Sequence, residues 1–407
     1  MAKKTQTYGV KSFASRLGLS NFAWVVSLSA FAVPYSFAQS QSVPSQQNSP
    51  QSAPQSSSAS PRQKPFDISG YADLYYQNDF GKPSGGQTVN GRWYDVDHDN
   101  YRLAGAQLDL SRAPTTPHPF GFYVSLLAGP NASILASTEP AGINTYKDFA
   151  QAYVTYLATT KFPLTVDFGK WYAFVGYEGL DSRTQDNYSR SFTFTALEPD
   201  YMTGFRGTAT VNPRLTLNGY LYQGYNEVKN SNSTIMAGLG VSYSVTEKLV
   251  ATLQGYNGKE SSSNVNQSGT YGGIGFPTPG PSWVTQVNPV LVYKMNTRDK
   301  FAFDGTYASA TGKGNWNGGA VYYRRQLDRR NDFCVRVDHA DDSVGLRFLD
   351  GGIQLNSFTG TYDYKVNDNL LLRFELRYDT ASHPFFNSDN GPALERWSLT
   401  FAQIVQF

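Results

Sequence analysis

The feature that most limits how this chain can fold is an alternation of period two, recurring from residue 66 to the last residue. Phe66, Ile68, Gly70, Ala72 and Leu74 alternate with Asp67, Ser69, Tyr71, Asp73 and Tyr75. Ile235, Ala237, Leu239, Val241 and Tyr243 alternate with small or polar residues, and Leu370, Leu372, Phe374, Leu376 and Tyr378 with Leu371, Arg373, Glu375, Arg377 and Asp379. A helix repeats its apolar positions every ~3.6 residues, whereas successive side chains of a strand point to opposite faces. These segments are therefore strands with one apolar and one polar face. A soluble sandwich shows the same alternation, so the connections must decide between them.

The connections are of two kinds. Short ones fall at 211–215, 245–249 and 366–370, and slightly longer ones near 112–118, 159–162, 296–299 and 328–331. Between them lie long, polar, Gly-rich segments at 79–100, 131–147, 173–201, 258–282 and 381–394. Short turns at one end and long loops at the other are the outer-membrane arrangement of periplasmic turns and extracellular loops. With both termini on the short-turn side, about sixteen strands result, an even number as bacterial single-chain barrels require. Their starts fall near 66, 101, 119, 148, 163, 202, 214, 234, 248, 283, 300, 316, 332, 353, 369 and 395. Most run ~9–12 residues, enough to cross a bilayer when tilted. Between 344 and 363 the phase looks broken, with Ile353 and Leu355 in one phase and Phe358 and Tyr362 in the other, and a bulge is expected there. The fold class is thus all-β: a transmembrane antiparallel up-and-down barrel.

Composition agrees. Hydrophobic residues are 40%, too few for a helical membrane bundle, while aromatics reach 15% with only 16% charged residues. The single cysteine, Cys334, rules out an internal disulfide. Residues 1–38 carry Lys3, Lys4, Lys11 and Arg16 and no acid, followed by an apolar run at 22–33 and small residues at Ser36 and Ala38. This reads as a secretory signal peptide cleaved between Ala38 and Gln39; the other reading, an N-terminal anchor, meets an apolar run too short to span. Without those four cations the net charge goes from +2 to −2, so no basic patch points to nucleic acid. Residues 39–65 are rich in Ser, Gln and Pro and read as a disordered linker. The barrel domain is 66–407.

In a closed barrel of this size the polar strand faces line an aqueous lumen. Alternation places Asp73, Asp167, Arg206, Arg336, Asp338, Arg373, Glu375, Arg377 and Asp379 there. An arginine on the lipid side at mid-membrane would cost ~2–4 kcal/mol. The third outer loop, 173–201, holds Glu178, Asp181, Arg183 and Arg190 beside Tyr188, Phe192, Phe194 and Leu197. It is expected to fold into the lumen as a constriction, with its carboxylates opposite wall arginines across the pore. The alternative for this loop is packing on the outer rim. The chain ends on an amphipathic strand in which Trp397, Leu399, Phe401, Val405 and Phe407 share a face, interrupted by Gln403. A terminal Phe407 there resembles the sorting signal read by the barrel-assembly machinery.

Several short motifs in order resemble the OmpL-like β-barrel porins, β-barrel porin family 2. They are Ala150-Gln151-Ala152-Tyr153-Val154, Gly169-Lys170-Trp171, Gly176-Tyr177-Glu178, Asn187-Tyr188-Ser189-Arg190-Ser191, Asn218-Gly219-Tyr220 and Leu372-Arg373-Phe374-Glu375-Leu376-Arg377. The resemblance spans roughly 66–407 and implies an outer-membrane porin, with no catalytic residues. Expected partners are outer-membrane lipids, the assembly machinery and small hydrophilic solutes, with a homotrimer as the assembly such barrels commonly form.

Signals for other chemistry are weak. His98, His118, His339 and His383 lack zinc-ligand spacing. Thr311-Gly312-Lys313-Gly314 lacks the Ser or Thr of a phosphate loop and reads as an outer hairpin. There is no G-x-S-x-G elbow. No cofactor, metal or catalytic residue is expected. Two further readings remain for the lumen: a plugged structural or adhesive barrel, and an outer-membrane barrel hydrolase, which would need a nucleophile and base on one wall.

Overall fold

The structure is a computed structural model that describes residues 66–83, 89–137, 139, 141–159, 162–260, 282–348 and 351–407. The leader, its cleavage point at Ala38 and the linker lie outside the described residues. The strands are Asp67–Asp79 (β1), Asn100–Arg112 (β2), Phe120–Ala128 (β3), Phe149–Thr159 (β4), Leu164–Tyr172 (β5), Tyr201–Asn212 (β6), Leu215–Tyr222 (β7), Met236–Ser244 (β8), Leu249–Glu260 (β9), Ser282–Lys294 (β10), Asp299–Ala310 (β11), Gly314–Gln326 (β12), Asn331–Asp342 (β13), Ile353–Asn367 (β14), Leu370–Ala381 (β15) and Glu395–Gln406 (β16). Each pairs antiparallel with its chain neighbours, and β1 pairs with β16 to close the sheet. Closure is what a bilayer demands, because an open edge would leave N–H and C=O groups unpaired at several kcal/mol each.

The outward face is apolar and open to lipid: Leu239, Ile68, Phe168, Leu253, Val321, Phe358 and Leu399 are all exposed. Outward aromatic rings pair across adjacent strands, Phe168 with Phe205 at 4.6 Å and Phe374 with Phe401 at 4.9 Å between centroids. The inward face of β13–β16 is instead charged and buried. Wall length is uneven. β3, β5, β7 and β8 are short, and β9–β16 are mostly longer.

One expectation is corrected. β14 pairs in unbroken register with β13 from Asp342↔Ile353 to Asn331↔Tyr364, so no bulge interrupts 353–362. The irregularity lies lower, between Lys365 and Asn367. Ile353 and Leu355 face inward and are fully buried, while Phe358 and Tyr362 face lipid. Two apolar phases coexist because the outer loops fill the barrel at that height. Ile353 and Leu355 join a core with Phe348, Phe192, Trp316 and Phe385.

Glycine is required where β5 and β6 cross. Gly169 and Gly204 are direct partners with φ of 143° and 157°. A Cβ on either would come within 2.2 and 2.1 Å of the backbone oxygens of Ala152 and Leu221. Above this pair Trp171 is fully buried, and the third loop departs.

The terminus closes the seam. Phe407 exchanges backbone hydrogen bonds with Gly70 at 3.0 and 3.1 Å, and a Cβ on Gly70 would stand 2.7 Å from the Phe407 ring and 2.5 Å from the Gln107 carbonyl oxygen. Gly70→Val is therefore expected to lower the temperature at which the folded barrel converts to the slower-migrating unfolded band on electrophoresis. Removing Phe407 is expected to reduce the folded band as well.

Candidate channel lining

The third outer loop, 173–200, occupies the inside of the barrel. A segment without a sheet of its own exposes backbone donors and acceptors that must be satisfied when buried. The wall supplies the partners. Glu375 accepts the N–H groups of Tyr188 and Ser189 at 2.7 and 3.0 Å, and Asp338 that of Phe192 at 2.9 Å. Arg373 donates to the carbonyl of Gln185 at 2.8 Å, Arg377 to that of Arg190 at 2.6 Å and Arg336 to that of Ser189 at 2.5 Å. Asp73 on β1 accepts from the hydroxyls of Ser182 and Tyr188. Asn187 donates to Thr361 on β14 at 2.6 Å. A short π-helical turn, Thr193–Leu197, then lays Phe194 and Leu197 into the apolar core, with Trp316 beneath.

The charges are closely paired. Arg336 meets Glu178 and Asp338, both at 2.9 Å, with Arg336 itself 0% exposed. Arg373 meets Asp363 at 2.6 Å and Arg377 meets Asp379 at 2.6 Å. Arg190 donates to the carbonyls of Gly179, Leu180 and Tyr188, tying the two arms of the loop together. The structure thus gathers Glu178, Arg190, Arg336, Asp338, Arg373, Glu375 and Arg377 into one buried lattice under the loop. Carboxylate and guanidinium touch there, where the sequence reading had them facing each other across water. The connection between β1 and β2 extends the lattice: Arg92 bonds Asp95 at 2.5 Å and Asp379 at 3.1 Å, and Arg396 bonds Asp379 at 2.7 Å.

Arg206, Asp181 and Arg183 lie elsewhere. Arg206 pairs with Asp167 on the neighbouring strand at 2.6 Å. Arg183 pairs with Asp181 at 2.6 Å and with Asp109 of β2 at 2.9 Å. Near the loop's deepest point, Asp186 takes Lys300 and Arg324 at 3.0 Å each. Inward-facing side chains that keep solvent exposure mark where the interior stays open. They are Tyr123, Thr155, Arg206, Thr208 and Asn218 on β3–β7, with Tyr172, Phe174, Tyr177 and Arg183 on or beside the loop. On β13–β16 the inward residues Arg336, Thr359, Asp363, Arg373, Glu375, Arg377 and Ser398 are buried. The loop therefore covers the inner face of β13–β16 more completely than that of β3–β7, where Tyr153, Trp171, Tyr220 and Tyr222 are buried but the five strand residues named above stay part-exposed.

The outer rim has its own acid network. Glu139, beyond the short helix Pro130–Leu135 (α1), accepts the N–H groups of Val228 and Lys229 and the hydroxyl of Tyr201. Asp200 accepts from Tyr94 and Asn226. Burial pushes the Asp200 carboxyl up to about 7, and burial likewise pushes Glu227 up to about 7. Sequence reading counts Asp200 among the charges of the third loop without giving it a rim role, and it singles out neither Glu139 nor Glu227, nor Arg347, which stands over Trp316 at 5.4 Å. A buried acid in an outer loop has no signature in spacing.

The described histidines bond locally: His98 Nδ1 accepts the Asp79 N–H, His339 meets Asn356 at 2.8 Å, and His383 meets Ser382 Oγ at 3.4 Å on an exposed loop. Among the described residues no group of three or more His, Cys, Asp or Glu could hold a metal ion.

With this geometry in view, comparison with known proteins places the chain. The family described as "Putative beta-barrel porin-2, OmpL-like" matches residues 65–407, and the chain belongs to it. Solved structures share the fold at low identity. OmpT of Vibrio cholerae superposes with a TM-score of 0.53 at 8% identity, covering 84% of this chain and 97% of that one; another OmpT structure is described as a trimer form. The anion-selective porin of Comamonas acidovorans gives 0.51 at 9%, covering 84% and 99%. Salmonella typhi OmpF, in complex with daunomycin, gives 0.51 at 12%, covering 84% and 97%. No curated protein matches significantly in sequence. The chain is a porin-type barrel that crosses an outer membrane many times.

Two predictions follow from the lining. Arg336→Met leaves Glu178 and Asp338 buried without their cation, which typically costs about 3–5 kcal/mol. Loop 3 should then become cleavable by protease in the folded barrel. At the rim, a carboxyl raised in the folded state stabilises fully below its unfolded pKa and loses that contribution as pH rises through the folded value. The unfolding temperature of wild type should therefore fall between pH 4 and 8, and Asp200→Asn should flatten part of that slope.

Proposed function

We propose that the protein is a passive channel for small hydrophilic solutes, with its water path on the β3–β7 side of loop 3. The observation that carries this is a difference along the inner wall: inward residues are buried from β13 to β16, whereas on β3 to β7 Tyr123, Thr155, Arg206, Thr208 and Asn218 keep part of their surface exposed beside buried Ser125, Tyr153, Asp167 and Tyr220. In this reading Glu178, Arg190, Arg336, Asp338, Arg373, Glu375 and Arg377 hold the constricting loop in place. Asp181, Arg183 and Arg206 line the path. Each of these three touches an opposite charge, so their fields fall off over a short distance and selection between anions and cations is weak.

The same reading includes export by a leader cleaved between Ala38 and Gln39, a linker to residue 65, and recognition of the Phe407 strand by the assembly machinery. It also includes a homotrimer, the form described for the Vibrio barrel.

Planar-bilayer recording of the refolded mature protein tests the channel. Discrete ohmic steps, with a small reversal potential under a salt gradient, are expected. A folded barrel that inserts without conducting would refute the reading.

A further inference from the structure

The open side of the lumen is distinctive for its rings. Tyr123, on β3, is half-buried and stacks on Tyr153 behind it, with centroids 5.5 Å apart and planes at 12°. Phe174, just past the outer end of β5, is half-buried and lies flat on Tyr220 at 3.5 Å and 6°. Gly238 forms its floor, since a Cβ there would stand 3.1 Å from the Phe174 ring. Tyr177, in the first arm of the loop, belongs to the β11–β12 wall instead: its N–H donates to Asp304 and its ring leans on Tyr322 at 4.7 Å. In each pair one ring is buried in the wall and holds a second, which keeps part of its surface in water. On the open side Tyr172 adds a third half-buried ring to Tyr123 and Phe174, its hydroxyl donating to Gln107 at 3.2 Å.

Packing alone does not call for this arrangement. A tyrosine or phenylalanine facing an aqueous lumen leaves apolar surface in water, which a serine or threonine would avoid. Held ring faces beside polar groups are what recognition of a molecule with an apolar face and a rim of hydroxyls uses. The polar groups are present on the same side: the Arg206 guanidinium, the Asn218 amide and the Thr208 hydroxyl. The cations there are in contact with carboxylates: Arg206 with Asp167, Arg183 with Asp109 and Asp181. Held in contact, these opposite charges have fields that fall off over a short distance.

We propose that the rings of the open side form a track for uncharged carbohydrate chains, whose pyranose rings slide over Tyr123, Tyr172 and Phe174 while their hydroxyls exchange water for Arg206, Asn218 and Thr208. The proposal rests on the channel reading and names its substrate class. Tyr123 lies near the periplasmic start of its strand and Phe174 near the outer mouth, so the rings are spread along the depth of the barrel.

The test uses the conducting channel in a planar bilayer, so that failure of the channel and failure of the track are separate results. Without sugar, ohmic conduction establishes the pore, and its absence refutes the channel reading and the track with it. Maltohexaose and cellohexaose are then titrated as uncharged linear probes, with polyethylene glycol of similar mass as a flexible probe without ring faces. The expected result is saturable block by at least one hexaose and little block by the glycol. Tyr123→Ala should weaken that block about fivefold or more relative to its own open conductance, whereas Tyr123→Phe, which keeps the ring, should retain it. Where Tyr123→Ala does not insert, Tyr172→Leu serves in its place. Equal block by hexaose and glycol, or no saturable block by either hexaose in a conducting channel, would overturn the proposal.

Discussion

Arg336 is the pivot of the interior. It is fully buried and reaches Glu178 on the loop, Asp338 on its own strand and the Ser189 carbonyl together. Taking such a cation out of water costs several kcal/mol, which is recovered only when geometry and additional hydrogen bonds are good. The lattice meets that condition by using backbone as well as side chains. Glu375 accepts two consecutive N–H groups of the loop, and Arg373 and Arg377 donate to its carbonyls. An irregular segment inside a barrel has no strand partner, and the charged wall acts as one. A purely apolar wall of the same volume would fill the space but leave those backbone groups unpaired.

From this anchoring the rest of the interior follows. With the loop held against β13–β16, the inward side chains Tyr123, Arg206, Thr208 and Asn218 on the other side stay part-exposed. At the outer end, Trp316, Phe192 and Leu197 seal the loop into an apolar core with Ile353 and Leu355. The barrel is thus lined differently on its two sides: a buried, polar, hydrogen-bonded half and a part-open half of rings and contact ion pairs. Both are built on the same alternation, so the difference lies in what covers the inner face.

The strands were legible because lipid contact imposes a strict rule on every second residue. Expected starts at 353 and 395 coincide with β14 and β16, and most others lie within a residue of the strands observed. The irregularity expected around 353–362 was misplaced because Ile353 and Leu355 are apolar for a reason that strand periodicity does not carry: they meet loop residues far away in sequence. Which arginine meets which carboxylate was illegible as well. Arg336 and Glu178 are 158 positions apart, and their contact depends on how the loop descends through the barrel. The rings of the open side were hidden by composition. In a chain with 28 tyrosines and 26 phenylalanines, Tyr123 and Phe174 look like any member of an aromatic girdle until the register of β3 and the stacking of Phe174 on Tyr220 show them facing inward.

The most direct test of a loop docked on one wall uses the protein's single cysteine. Cys334 faces inward on β13 between Arg324 and Thr361 and is fully buried. In the folded barrel a small water-soluble thiol reagent should leave Cys334 unmodified until the barrel is unfolded. With Cys334 replaced by serine, Asn218→Cys on the opposite side should react at once. Rapid modification of Cys334 in the folded protein, or protection of the cysteine at 218, would contradict the account.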